Sequence, residues 1–254
     1  MSADDLLLAV AGLAAGLVNG VAGGGSLISF PALLAVGHTA VVANVTSTVG
    51  IWAGYVGGVA GFRRELAAQG DRVRALTPVA LAGGLTGAVL LLVTPGHVFE
   101  DLAPLLVLLA CALFALQPRI ARRLRERPPP RPRARSAGLS VLALVGTYLA
   151  AIYGGYFGAG LGVVLLAVLG LALDDELIRI NGVRGVLSLI VNSIAVVVFV
   201  VGADVAWHDA GVLTVTSLVG GYLGARLSRR LPAPVFRVVV IGLGLVAAVR
   251  LLFG

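Results

Sequence analysis

Residues 6–37 read LLLAVAGLAAGLVNGVAGGGSLISFPALLAVG, and from Leu6 to Phe62 the chain holds no Asp, Glu, Lys or Arg. A helix rises ~1.5 Å per residue, so that charge-free stretch would run ~85 Å if straight, whereas the hydrocarbon core of a bilayer is only ~30 Å thick. The segment therefore has to enter the bilayer more than once. Its middle, Asn19-Gly20-Val21-Ala22-Gly23-Gly24-Gly25-Ser26, is a run that a continuous helix disfavours. A glycine-broken point at membrane depth is where secondary transporters hold their substrates.

Composition extends this reading to the whole chain. It is 59% hydrophobic and 12% charged, with a mean hydropathy of +1.02. Soluble domains carry roughly 25% charged residues. The sequence is that of an all-α polytopic membrane protein, and its 254 residues leave room for no sizeable soluble domain. The net charge of +7 comes from arginines, since there is no lysine. These arginines cluster between apolar segments, which fits the positive-inside bias of cytoplasmic loops rather than a nucleic-acid surface. Cys111 is a lone cysteine in an apolar run, so neither a disulfide framework nor a cysteine metal site is expected. The start, Met1-Ser2-Ala3-Asp4-Asp5, lacks the basic region of a cleaved signal peptide, so the first apolar segment is expected to be retained.

The chain repeats itself. Residues 76–99, LTPVALAGGLTGAVLLLVTPGHVF, align with 213–236, LTVTSLVGGYLGARLSRRLPAPVF. Leu76, Thr77, Gly83, Gly84, Gly87, Pro95, Val98 and Phe99 recur as Leu213, Thr214, Gly220, Gly221, Gly224, Pro232, Val235 and Phe236, all at one constant offset. Asn44 recurs as Asn181 at that same offset, and the glycine run at Gly20 recurs from Gly155 at a slightly shorter one. Weak internal symmetry of this kind marks secondary transporters. The expected organisation is a first transmembrane repeat over 1–117, an Arg- and Pro-rich linker over 118–135 (PRIARRLRERPPPRPRAR), and a second repeat over 136–254. The linker reads as a solvated cytoplasmic segment, with anionic lipid or nucleic acid as lesser alternatives.

If the linker is cytoplasmic, counting spans outward from it places 17 of the 19 arginines on or near the inner side, with Arg184 and Arg250 as exceptions. Both termini then face the periplasm. The count requires 6–37 and 136–173 each to be a hairpin: a full helix in, a glycine break, and a shorter helix back. An odd number of crossing elements per half inverts the second copy. The predicted fold is therefore two inverted repeats, each of about four long helices plus one short, glycine-broken re-entrant half-helix.

The breaks supply the candidate binding residues. In the first they are Asn19, Gly23, Gly24, Gly25 and Ser26; in the second, Tyr153, Tyr156, Gly158 and Gly160. Helix N-termini at Ser26 and near Leu161 would each present about half a positive charge, and two such ends meeting make an anion site without a charged side chain. The alternative is that the glycines only allow close helix packing, the reading favoured for Gly83, Gly84 and Gly87. Downstream of each break lies a polar cluster: Asn44, Thr46, Ser47 and Thr48 in one half, Asn181, Arg184, Ser188 and Asn192 in the other. Of these, Asn44, Ser47, Thr48, Asn181 and Arg184 join the candidate set, although Ser and Thr in membrane helices often bond only their own i−4 carbonyls. Arg184 either snorkels to the inner interface or faces the cavity and meets an anionic substrate. No carboxylate lies deep in a span, no nucleotide or metal motif is present, and His38, His97 and His208 fall near helix ends. No enzyme activity, cofactor or metal is expected.

AGLVNGVAGGGSLISFPALLAVG, followed by ANVTSTVGIWAGYVGG and repeated more loosely after the linker, resembles the sulfite exporter TauE/SafE family of membrane transporters. The resemblance spans nearly the whole chain and is most specific from Gly16 to Gly37 and over Asn44–Thr48. It implies about eight helices in the bacterial inner membrane and transport of a small sulfur-containing anion such as sulfite, a sulfonate or sulfoacetate. The second copy reads Gly158-Ala159-Gly160 where the first has three glycines, so unequal half-sites are expected. The expected partners are the small anion and the lipid bilayer, without nucleic acid; a homo-oligomer is left open. An anion channel and a scaffold without transport are the competing readings.

Overall fold

A computed structural model describes residues 2–21, 23–60, 66, 69–126, 140–173, 175–227 and 233–253. Among these residues all regular structure is helical. The helices are α1 (Ala3–Val21), α2 (Ser26–Ala35), α3 (Ala40–Ala60), α4 (Gly70–Val93), α5 (Gly96–Arg125), α6 (Val141–Tyr156), α7 (Leu161–Ala172), α8 (Leu177–Gly202), α9 (Trp207–Leu227) and α10 (Ala233–Phe253). Most of the expected linker, from residue 127 to its end at 135, lies outside the described residues. Its beginning does not: Pro118 to Arg125 form the last turns of α5. Among the described residues, α1, α3, α4, α5 and α8 are long and apolar enough to cross a membrane. Many large apolar side chains point outward, including Leu105, Val141, Leu149, Val201 and Val215. An aqueous protein would bury such residues; a lipid-facing surface has no reason to.

Each expected hairpin is present. α1 is followed by the short α2, and α6 by the short α7, with a glycine-containing break between. α6 has 16 residues, fewer than the ~20 a full span needs. Its start is fixed by Ser140, whose side chain accepts a hydrogen bond from the Ala143 N–H at 3.2 Å, and its end by the turn at Phe157 and Gly158.

The sequence repeat reappears in the packing, and it interlocks the halves. The fourth helix of the first copy, α4, packs against α6 and α8 of the second; the fourth helix of the second copy, α9, packs against α1 and α3 of the first. The repeated glycines make both contacts. A Cβ on Gly83 would fall 2.6 Å from the Tyr148 carbonyl oxygen, and one on Gly87 2.1 Å from that of Ile152. In the other copy, a Cβ on Gly220 would fall 2.1 Å from the Leu13 oxygen, and one on Gly224 2.6 Å from that of Leu17. Tyr148 and Ile152 correspond to Leu13 and Leu17 in the register that sets Gly155 on Gly20. These glycines are packing residues, as their spacing suggested, because any side chain would push the backbones apart.

Candidate functional site

The two breaks meet inside the protein. Gly23 has φ +72°, and Gly158 and Gly160 have φ +79° and +80°, all left-handed values that side-chain-bearing residues rarely adopt. A Cβ on Gly23 would sit 3.1 Å from the Gly162 Cα, in the first turn of α7. A Cβ on Gly158 would lie 3.8 Å from the Ser26 Oγ, at the first residue of α2. Each break therefore abuts the start of the other copy's short helix. An aromatic cluster fixes this crossing. Phe30 of α2 meets Phe157 edge-on at 5.5 Å between ring centroids, and Phe99 of α5 lies 6.3 Å from Phe157 and 5.7 Å from Tyr156.

Several expected site residues prove to be bound up in holding the breaks. Asn19 Oδ1 accepts the Gly25 N–H at 2.7 Å, so this side chain closes the first break onto α1. The Gly23 N–H bonds the Val18 carbonyl at 3.0 Å. Gly24 lies on the Phe114 ring. Tyr153 donates its hydroxyl to the Ala159 carbonyl at 2.5 Å, closing the second break in the same way. Asn44 Nδ2 donates to the Tyr156 carbonyl at 3.0 Å, which ties α3 to the second break. Ser47 Oγ pairs with Ser29 Oγ at 2.6 Å, and Thr48 bonds its own helix at the Asn44 carbonyl. Asn181 is only half-buried, one turn before Arg184 on α8.

Arg184 is different. It is 3% exposed, so its guanidinium does not reach out to an aqueous interface. Its Nη1 lies 3.5 Å from the Gly162 carbonyl oxygen and 3.7 Å from where a Gly23 Cβ would be. The cation thus sits where the first break crosses the start of α7. Tyr55, 4% exposed on α3, is the residue that sequence reasoning missed. Its phenol lies near the Asn192 and Ser26 side chains and the charge of Arg184. The repeat register contained the signal. The offset that carries Phe99 to Phe236 also carries Tyr55 to Asn192, so these are equivalent positions of the two copies, and their side chains lie near each other. At the same register Arg184 takes the place of Ser47, so one copy brings a hydroxyl and the other a cation. Among the described residues, Asn19 Nδ2 and Ser188 Oγ are buried polar atoms without a hydrogen-bond partner. A buried polar atom without a partner costs about 1–3 kcal/mol, and a polar ligand would offset that cost.

Electrostatically the site gathers groups that favour negative charge. It joins one arginine to the N-terminal ends of α2 and α7, which favour negative charge. No group of His, Cys, Asp and Glu able to hold a metal occurs among the described residues.

Asn19→Ala should lower thermal stability by about 1 kcal/mol, the usual cost of losing such a backbone-capping bond. Thermal unfolding of the purified protein checks this; unchanged stability would show that the Asn19–Gly25 bond does not hold the break.

The model for the family described as "Sulfite exporter TauE/SafE" matches residues 8–251. The chain is 27% identical to the "Probable membrane transporter protein YfcA" of Escherichia coli strain K12, over 85% of this chain and 76% of that protein. It is 25% identical to a "Probable membrane transporter protein" of Haemophilus influenzae, over 88% and 85%. It is also 24% identical to the "Probable membrane transporter protein ORF9" of a Sinorhizobium species, over 96% and 91%. With a helical fold of apolar, span-length helices and a family match running nearly end to end, the chain belongs to the sulfite exporter TauE/SafE family of membrane transporters.

Proposed function

We propose that this chain is a secondary transporter that moves a small sulfur-containing anion, of the sulfite, sulfonate or sulfoacetate type, across the bacterial inner membrane by alternating access. The observation that carries the reading is the buried Arg184 guanidinium beside Gly23 and the start of α7. A guanidinium carries five N–H donors, so it can hold an anion alongside its contacts with the protein. Its planar fork matches the oxygens of a sulfite or sulfonate group, two at a time. The helix ends at Ser26 and Leu161 and the hydroxyls of Tyr55 and Ser188 offer further donors for a third oxygen. The family's description as sulfite exporters supports the choice of sulfur chemistry. The duplicated packing supports two copies in inverted orientation, and the arginine distribution supports a cytoplasmic linker with both termini in the periplasm.

Uptake of labelled sulfite, sulfate and sulfonates into proteoliposomes tests this function. Arg184→Gln should reduce anion flux at least ~10-fold with protein abundance unchanged, the loss of ~1.4 kcal/mol or more of charge-assisted binding. Arg184→Lys keeps the charge but not the fork, and should fall between the two. Wild-type flux in Arg184→Gln would contradict the assignment. For the orientation, a cysteine introduced at position 130 should react only with reagents that cross the membrane of intact cells. Labelling from outside would overturn it.

A further inference from the structure

Two ion pairs stand at equivalent positions of the two copies. In the first, His38 Nε2 lies 2.5 Å from Asp209 Oδ2, joining the α2–α3 connection to the first turn of α9. In the second, Asp175 pairs with Arg72, joining the α7–α8 connection to the first turn of α4. The offset that carries Phe99 to Phe236 carries His38 to Asp175 and Arg72 to Asp209. Each pair thus ties the connection that follows one copy's short helix to the fourth helix of the other copy. The acid and the base have changed places between the two.

The pairs lie at opposite ends of one helix. Asp175 shortly precedes α8, and Asp209 follows its end by way of the short 203–206 connection. With 26 residues at ~1.5 Å each, α8 separates them by ~39 Å. Arg184, Ser188 and Asn192 lie between the two ends on α8. Both pairs are formed in this structure, each a contact between copies at one end of α8.

We infer that these two pairs are the gate latches of the transport cycle, and that His38–Asp209 is the proton-responsive one. The inference rests on the alternating-access reading above. An imidazolium facing a carboxylate binds it more strongly than a neutral imidazole does. Histidine is the side chain that changes charge between pH 5 and 8. Acidification on the His38 side therefore favours a closed latch, and alkalinisation releases it. Of the helices packed around this latch, α5 begins with His97, Glu100 and Asp101, α1 with Asp4 and Asp5, and α10 carries Arg250 in its last turn. The 6–62 stretch carries His38 and no Asp, Glu, Lys or Arg. The 203–206 connection carries Asp204. α9 contributes Asp209 and the adjacent His208, which is turned to Asp5 of α1 at 2.8 Å.

The other latch is built to ignore pH in that range. Burial pushes the Asp175 carboxyl up, but hydrogen bonds from Gln69, the Glu176 N–H and Arg72, together with the Arg72 charge, outweigh it and hold the group below its usual value. The Gln69 bond is 2.8 Å, and Arg179 approaches the same carboxylate at 3.8 Å. An arginine stays charged throughout. Transport should accordingly respond to protons from one side only, the side that the arginine distribution assigns to the periplasm.

Spin-label distances in lipid nanodiscs test this without reference to the substrate. Cys111→Ala protein would carry labels at Thr39→Cys and Gly211→Cys across the first latch. A second protein would carry them at Gly70→Cys and Ile178→Cys across the other. Between about pH 6 and pH 8 the open-to-closed ratio of the first pair should rise by up to ~10-fold per pH unit, the limit for one linked proton, while the second pair stays fixed. His38→Gln should abolish the response. His38→Arg, which copies the chemistry of the other latch, should hold the first pair closed at every pH. An unresponsive first pair, an equal response in His38→Gln, or opening of the second pair instead would overturn the proposal. If labelled sulfite does not cross while the first distance still follows pH through His38, the latch is upheld and only the substrate reading falls.

Discussion

Backbone amides have no water to turn to inside a bilayer, so a helix can break there only where protein replaces the missing hydrogen bonds. That constraint shapes this molecule. The first break is closed by the Asn19 side chain on the Gly25 N–H, the second by the Tyr153 hydroxyl on the Ala159 carbonyl. Asn44 reaches across from α3 to the Tyr156 carbonyl. The breaks are buried together, and each lies against the start of the other copy's short helix. The positive end of each short helix then points into the same interior, where Arg184 already sits.

The interlocking of the copies follows from a second constraint, the lack of a hydrophobic force between helices in lipid. Close backbone approach takes its place. Gly83 and Gly87 against α6, and Gly220 and Gly224 against α1, let carbonyl oxygens come closer than any side chain would permit. α4 and α9 are therefore committed to the opposite copy. In the proposed transport cycle these glycine seams move as rigid units and the bending falls at the connections, where the His38–Asp209 and Arg72–Asp175 pairs are placed.

Much of the fold was readable in the sequence because its signals are coarse. A charge-free run of more than a bilayer's length, a glycine break and a repeat with constant spacing give the hairpins, and the observed short helices begin at Ser26 and Leu161. The candidate site was less legible. Composition says that Asn19, Tyr153 and Asn44 are polar groups in an apolar setting; it does not say whether they face a ligand or a neighbouring backbone group. In the structure these three face backbone. Tyr55 went unnoticed since a tyrosine in a membrane helix is ordinary by itself. Only its register with Asn192 and its nearness to that residue single it out. The ion pairs were hidden for a related reason: His38 and Asp209 are far apart in sequence, and each alone looks like an ordinary solvated group at a helix end.

Everything proposed for transport depends on an anion binding against Arg184 where the breaks cross. Crystals of the protein grown with selenite, a heavier relative of sulfite, would locate that anion directly by anomalous scattering. The predicted result is a selenium peak within ~4 Å of the Arg184 guanidinium, at charge-assisted contact distance and bounded by Gly23, Tyr55 and the start of α7. A peak confined to the exposed arginines of α5, or an empty site in a protein that transports sulfite, would contradict it.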